Sequence, residues 1–247
     1  MKLIFITFIL CMLGFGLWAD IDLSISTELG LTISGYNDVR IPNDDDIHSM
    51  FSLKDDLSAD PVFSSRLQIH YKPHPRHQIS LMAAPLTLKP KGSFDRDIIY
   101  QNQTFAAGAE IDAVYRFDSY RLQYRYFFPK PLGVITAVGA SLKLRDAEIS
   151  LNDGTNKASK TNTGFVPLLS LNAAYPIMEE LVAVLEAEGL ASPYGRAEDV
   201  FVGMDMTISS RTKLRLGYRF LEGGSDNDEV YTFAAVHYAL LGFSLDL

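Results

Sequence analysis

Histidine and serine are the side chains of this sequence that could carry nucleophilic chemistry, because the single cysteine, Cys11, lies in an apolar run near the start. A serine nucleophile needs a base within hydrogen-bond reach and a third group to orient that base. The candidate bases are His48, His70, His74, His77 and His237. His77 and Ser80 are close in sequence, yet three residues along a strand put them on opposite faces, and His77 falls in the turn Pro73-His-Pro-Arg-His77. Neither a His-x-Ser pair nor a Gly-x-Ser-x-Gly elbow occurs. One cysteine gives no thiolate metal cluster, and the acidic run Asn43-Asp-Asp-Asp46 lacks the spaced ligands and glycine of a calcium loop. No catalytic residue, metal ligand or cofactor is assigned from the sequence.

The other chemistry available is electrostatic. Phe105, Ala107, Ala109, Ile111, Ala113, Tyr115 and Phe117 are apolar at every second place, with Gly108, Glu110, Asp112 and Arg116 between them. After Asp118-Ser119 the alternation resumes, Tyr120, Leu122, Tyr124, Tyr126 and Phe128 against Arg121, Gln123 and Arg125. This two-residue period predicts a hairpin of two long strands turning at Asp118-Ser119. One face is apolar and aromatic; the other carries both signs of charge. Glu186 with Glu188, and Arg215 with Arg219, repeat the pattern later. Glu110, Asp112, Arg116, Arg121, Arg125, Glu186, Glu188, Arg215 and Arg219 are therefore expected to form one inward-facing charge network, paired or hydrated because an isolated buried charge is costly.

The elements that must position these charges follow from the rest of the chain. Met1-Lys2, the apolar run Leu3 to Trp18 and then Ala19-Asp20 read as a secretory signal, residues 1–19, cut near Ala19. As a membrane anchor the run would be short of the ~20 apolar residues a spanning helix needs. Residues 20–247 then form a single all-β domain with 21 basic against 30 acidic side chains, a balance that argues against nucleic acid as a partner. Ile21 to Ile33 alternate almost without a break; residues 37–61 turn polar and predict a long exposed loop. Strands follow around Phe63–Lys72 and Gln78–Leu88, and a second long connection covers 89–103. Pro129 to Gly133 predicts an outer loop. At Arg145-Asp146 the apolar parity switches from Val138, Ala140, Leu142 and Leu144 to Ala147, Ile149 and Leu151, which predicts a tight reversal near residues 145–147. Strands around 165–175, 181–188, 200–208, 214–220 and 230–247 bring the count to about twelve, with ten as the alternative. The architecture expected is an antiparallel transmembrane β-barrel.

Alternation alone also fits a secreted, soluble lipocalin-like barrel that binds a ligand inside. Three features favour the membrane: both signs of charge on the polar face, Tyr and Phe near strand ends, and a chain that stays apolar at alternate places through Gly242-Phe-Ser-Leu-Asp-Leu247. That ending, with Gly242, Leu245 and Leu247, resembles the C-terminal assembly signal of bacterial outer-membrane barrels, which usually closes on an aromatic residue. The chain resembles small Gram-negative outer-membrane barrels, loosely of the OmpA/OmpW type; Phe117-Asp-Ser-Tyr-Arg-Leu-Gln-Tyr-Arg-Tyr126 and Gly195-Arg-Ala-Glu-Asp-Val200 are among the stretches that carry the likeness. The resemblance implies outer-membrane lipids as surroundings, the barrel-assembly machinery as a partner through the last strand, and a structural or narrow-pore role. Some such barrels are lipid hydrolases with Ser and His at the outer rim, an alternative the histidine spacing does not favour.

Overall fold

The structure, a computed structural model, describes residues 22–44 and 46–247. The expected signal, residues 1–19 with its cut near Ala19, lies outside the described residues, as do Asp20, Ile21 and Asp45. Ten antiparallel strands close on themselves: β1 (Asp22–Arg40), β2 (Val62–His74), β3 (His77–Ala84), β4 (Ile111–Leu132), β5 (Ile135–Asn152), β6 (Lys157–Pro176), β7 (Leu181–Ser192), β8 (Gly195–Ser209), β9 (Thr212–Asp226) and β10 (Tyr231–Asp246). Each pairs with the next, and β10 returns to β1 from Ser24↔Asp246 to Arg40↔Tyr231, so the barrel has no free end strand. Short turns join strands at the end holding Asp22 and Asp246, here called the lower end. The long segments 41–61 and 85–110 both leave from the upper end.

Twelve strands become ten because two expected reversals are absent. β4 runs through Asp118-Ser119 as one 22-residue strand, and β5 runs through 145–147 as one 18-residue strand. The two pair without interruption from Asp112↔Asn152 to Phe127↔Ala137. Consequently Pro129–Leu132 is the tail of β4, followed by a Gly133-Val134 turn at the lower end, and not an outer loop.

The physical reason lies in what surrounds each strand. In β4 the odd residues face inward throughout: Ser119, Arg121, Gln123 and Arg125 below, Ile111, Ala113 and Tyr115 above, all buried. The even residues face outward: Leu122 and Tyr124 below, Asp112, Arg116 and Asp118 above. Both faces change character at one level. On the outside the change falls between Tyr120 and Asp118 in β4, and the register carries it to Leu144 and Asp146 in β5 and to Phe165 and Thr163 in β6. It recurs between Phe220 and Glu222 in β9, opposite Val200 and Glu198 in β8. Below this level the barrel is apolar outside and polar inside; above it the pattern is reversed.

The reversed upper half is filled from within. Residues 41–61 and 85–110 fold back into the barrel mouth, where Phe51, Leu53, Phe94, Ile98, Tyr100 and Phe105 are among the largest fully buried side chains. The expected exposed loop is thus largely an inserted core. Phe51 meets Phe94 and Tyr100 edge to face, with centroids 5.6 and 5.5 Å apart, and Tyr100 Oη donates to the Ile149 carbonyl at 3.0 Å. Phe105, placed in a strand by its alternation, sits in the small hairpin Ile98–Tyr100/Gln103–Phe105 of this insert.

Candidate functional site: the barrel interior

The lower interior is an ion-pair lattice. Asp199 of β8, with a side chain 2% exposed, accepts from Arg66 of β2 at 2.9 Å, Arg121 of β4 at 2.6 Å and Arg219 of β9 at 2.7 Å. β2 and β4 are not neighbours of β8 in the barrel, so these contacts cross its interior. Glu28 of β1 receives Arg219 at 2.9 Å, Arg215 at 3.3 Å and Arg66 at 3.6 Å. Arg121 also reaches Glu188 of β7, which accepts from Gln123 Nε2 at 2.6 Å. Arg215 joins Glu186 at 3.0 Å and Asp205 at 2.8 Å; Arg125 approaches Glu186 at 4.0 Å. Five carboxylates (Glu28, Glu186, Glu188, Asp199, Asp205) thus face five guanidinium groups (Arg66, Arg121, Arg125, Arg215, Arg219), a balance that lets charges stay ionised away from water.

Phe201, fully buried, lies inside this lattice, with the Arg215 and Arg219 guanidinium carbons 4.6 and 5.2 Å from its ring centre. Its ring fits because Gly203 and Gly217 face each other beneath it: a Cβ at either position would stand 2.5 Å from a Phe201 ring carbon. Gly242 plays a related part, since a Cβ there would lie 3.1 Å from that of Arg215 and 3.4 Å from Glu28 Cγ. Leu245 and Leu247, grouped with it as a terminal motif, are partly exposed, and the Leu247 amide donates to the Leu23 carbonyl at 2.9 Å.

Of the nine charges expected to point inward, the structure brings six together here: Arg121, Arg125, Glu186, Glu188, Arg215 and Arg219. Glu110, Asp112 and Arg116 are elsewhere. Glu110 is exposed ahead of β4, Asp112 pairs with Lys91 at 2.6 Å on the surface, and Arg116 binds Asp118, Asp146 and Glu148 at 3.3, 2.8 and 3.5 Å on the outer face. Because β4 does not turn at 118–119, Asp112 and Arg116 share the outer face of Leu122, and Glu110 precedes the strand. Glu28, Arg66, Asp199, Asp205 and Phe201 were missed, although each holds the parity opposite to the exposed apolar residues of its strand.

His70 sits at the lower edge of the lattice. Its Nε2 is 2.9 Å from Ser26 Oγ and its Nδ1 2.8 Å from Ser80 Oγ. Two serines take both ring nitrogens, so no carboxylate orients the ring, and Ser80 is 1% exposed. That is the arrangement of a satisfied structural histidine. His237 faces outward, its Nδ1 2.5 Å from Tyr218 Oη. His77 meets Tyr124 Oη at 2.8 Å. Among the described residues no cluster of His, Cys, Asp and Glu could hold a metal ion.

Above the lattice a cavity of about 450 Å³ remains inside the wall from β4 to β10, next to Ile41 of the insert, lined by Tyr115, Phe117, Lys143, Arg145, Ile149 and Leu221 among others. No protein-family model and no curated protein matches this sequence. Solved structures that resemble it include Ail of Yersinia pestis, at 10% identity over 92% of this chain and 99% of that one, with a TM-score of 0.40. The translocator domain of NalP from Neisseria meningitidis follows at 8% identity, 93% and 90% coverage and a TM-score of 0.40; the Pseudomonas putida toluene transporter TodX at 9%, 93%, 91% and 0.39. The chain resembles Gram-negative outer-membrane barrels. At these identities and TM-scores, function is read from the chain's own geometry.

Proposed function

We propose that the chain is an integral outer-membrane barrel whose interior is closed by its own side chains, a membrane-embedded structural element and not an open diffusion pore. The apolar belt supports the membrane setting. Leu29, Ile33, Phe63, Leu142, Leu169, Leu216 and Leu241 point outward and are 46–87% exposed, a continuous surface far beyond the apolar patches that monomers carry in water. From Leu23 to Ile33 the ten steps of β1, at about 3.3 Å each and tilted about 40°, cover about 25 Å, the height of the apolar band of such barrels. A soluble ligand-binding barrel would have the opposite arrangement, apolar inside and polar out. Outer-membrane lipids are then the surroundings, and the last strand, ending at Leu245 and Leu247, is the segment offered to the assembly machinery.

The closed interior rests on one observation: Asp199 is held by arginines from three strands in the middle of the barrel. A narrow, charge-selective pore is the competing reading. Planar-bilayer recording separates them. The plugged barrel gives no steady conductance in the wild type; steady channels whose ion selectivity shifts with Arg121→Ala would refute it. Membrane placement is checked apart from this, by outer-membrane fractionation, resistance to carbonate extraction and heat-modifiable gel mobility; a monodisperse protein without detergent would reverse it.

A further inference from the structure

Between β6 and β7 a stretch of the barrel wall is unpaired. β6 pairs with β7 only from Leu169↔Gly189 down to Pro176↔Val182. Yet β6 continues along β5 up to Lys157, and β7 along β8 up to Ser192. Above Leu169 the two strands therefore leave a gap, with Phe165 and Pro167 on one margin and Leu190 and Ala191 on the other. Pro167 lacks the N–H that a ladder needs, and proline is tolerated within a strand only where no partner faces it. Had the register continued, Pro167 would have stood opposite Ala191.

Leu190 shares the inward parity of Glu186 and Glu188, which are largely buried, but is itself 41% exposed, as an interior residue beside an opening must be. The gap lies at the upper edge of the apolar belt, because Phe165 is level with Leu144 and Tyr120. Its β6 margin, Phe165 and Pro167, is apolar and exposed, while its β7 margin stands beside Arg196 and Glu198 of β8, so the gap opens where lipid chains meet the polar surface above them.

Behind the gap lies the 450 Å³ cavity, a size that takes one small ligand. Its lining holds cations without partners. Lys143 is 2% exposed and lies 4.6 Å over the Phe117 ring, and among the described residues it forms no ion pair. The Arg145 guanidinium donates to Asn162 Oδ1, while its buried Nε has no partner and no carboxylate is within ion-pair distance. Every other buried cation of the interior is matched in the lattice below. A lysine and an arginine without carboxylate partners, in a largely apolar chamber whose rim also carries Glu148, Asn162, Arg196 and Glu222 and which opens at the edge of the apolar belt, suit a molecule that is anionic at one end and apolar along its length.

We propose that the gap between β6 and β7 is a side port that admits a long-chain carboxylate from the membrane, its head held by Lys143 and Arg145 and its chain leaving between Phe165, Pro167 and Leu190. This rests on the membrane reading above. The test uses 9,10-dibromostearate and single-indole variants of residues 20–247, a stretch that holds no tryptophan of its own, in phosphatidylcholine vesicles. In Leu190→Trp or Val166→Trp, quenching should saturate with probe, and Lys143→Met should weaken the apparent affinity by about tenfold or more, the loss of one buried charge-assisted contact. Lys143→Arg should stay within about threefold. Leu142→Trp, on the outer face, should be quenched in proportion to probe and ignore residue 143. Unsaturable quenching at both interior positions, curves indifferent to Lys143→Met, or silence at both positions would each overturn the port. Failure of the membrane reading looks different: Leu142→Trp would then escape quenching by brominated phosphatidylcholine. Heat-modifiable mobility verifies each fold, and Arg145→Gln, expected to weaken binding likewise, replaces Lys143→Met should that variant not fold.

Discussion

Asp199 shows how a single residue organises the interior. Three guanidinium groups converge on its carboxylate at 2.6–2.9 Å, from strands that share no ladder with one another, so it fixes distances across the barrel that backbone pairing leaves free. Removing one member of a buried, hydrogen-bonded set exposes the others to an uncompensated field, which costs about 3–5 kcal/mol. Asp199→Asn should therefore lower the stability of the folded barrel by that order, read as the urea midpoint of its compact gel band. The double variant Asp199→Asn/Arg121→Met should lose clearly less than the two single losses combined, because the second substitution removes a charge that the first left unpaired. Additive losses would mean that the two side chains act independently despite their 2.6 Å contact.

At the scale of elements, most of what the sequence left illegible has one cause. Period-two alternation reports which side of a strand is apolar, and it identifies the inward face only where the outside is the apolar side. In β4 and β5 that condition fails halfway up, where the strands leave the belt and their inner faces meet the inserted core. Each inversion was read as a turn, which added two strands. The two false reversals cancel in direction, so the strands around them keep their order and only Pro129–Gly133 changes ends. Where a stretch stays within one regime, as residues 214–220 do with Lys213, Arg215 and Arg219 opposite the leucines, the face is legible; the upper boundary is not, because β9 runs on across the change to Asp226. Long-range partners are not legible either: nothing local in Glu28 or Arg66 says that Arg219 or Asp199 lies across the barrel. The inversion itself is testable on β6, whose outward residues Leu169 and Thr161 lie on either side of the boundary. Leu169→Arg should cost about 2–4 kcal/mol in lipid, whereas Thr161→Arg, exposed and opposite Glu148, should cost about 0–1. Refolding into vesicles across a urea series measures both, and equal costs would place Thr161 in the same apolar surroundings as Leu169.

For the whole molecule, the proposed closed barrel would have two barriers in series. The apolar insert fills the upper mouth, and the ion-pair lattice spans the lower interior through side chains of the wall itself. The insert carries much of the buried apolar surface, Phe94, Ile98, Tyr100 and Phe105 among it, but none of the lattice charges. Replacing residues 94–108 by a short Gly-Ser linker should therefore remove stability without opening the barrel. The expected result in planar bilayers is a protein that unfolds at lower urea and still passes no steady current, because the arginines around Asp199 remain in place. Combining that replacement with Asp199→Ala and Arg121→Ala removes both barriers, and steady conductance is expected only then. Current through the linker variant alone would show that the lattice is permeable and that the insert is the sole seal.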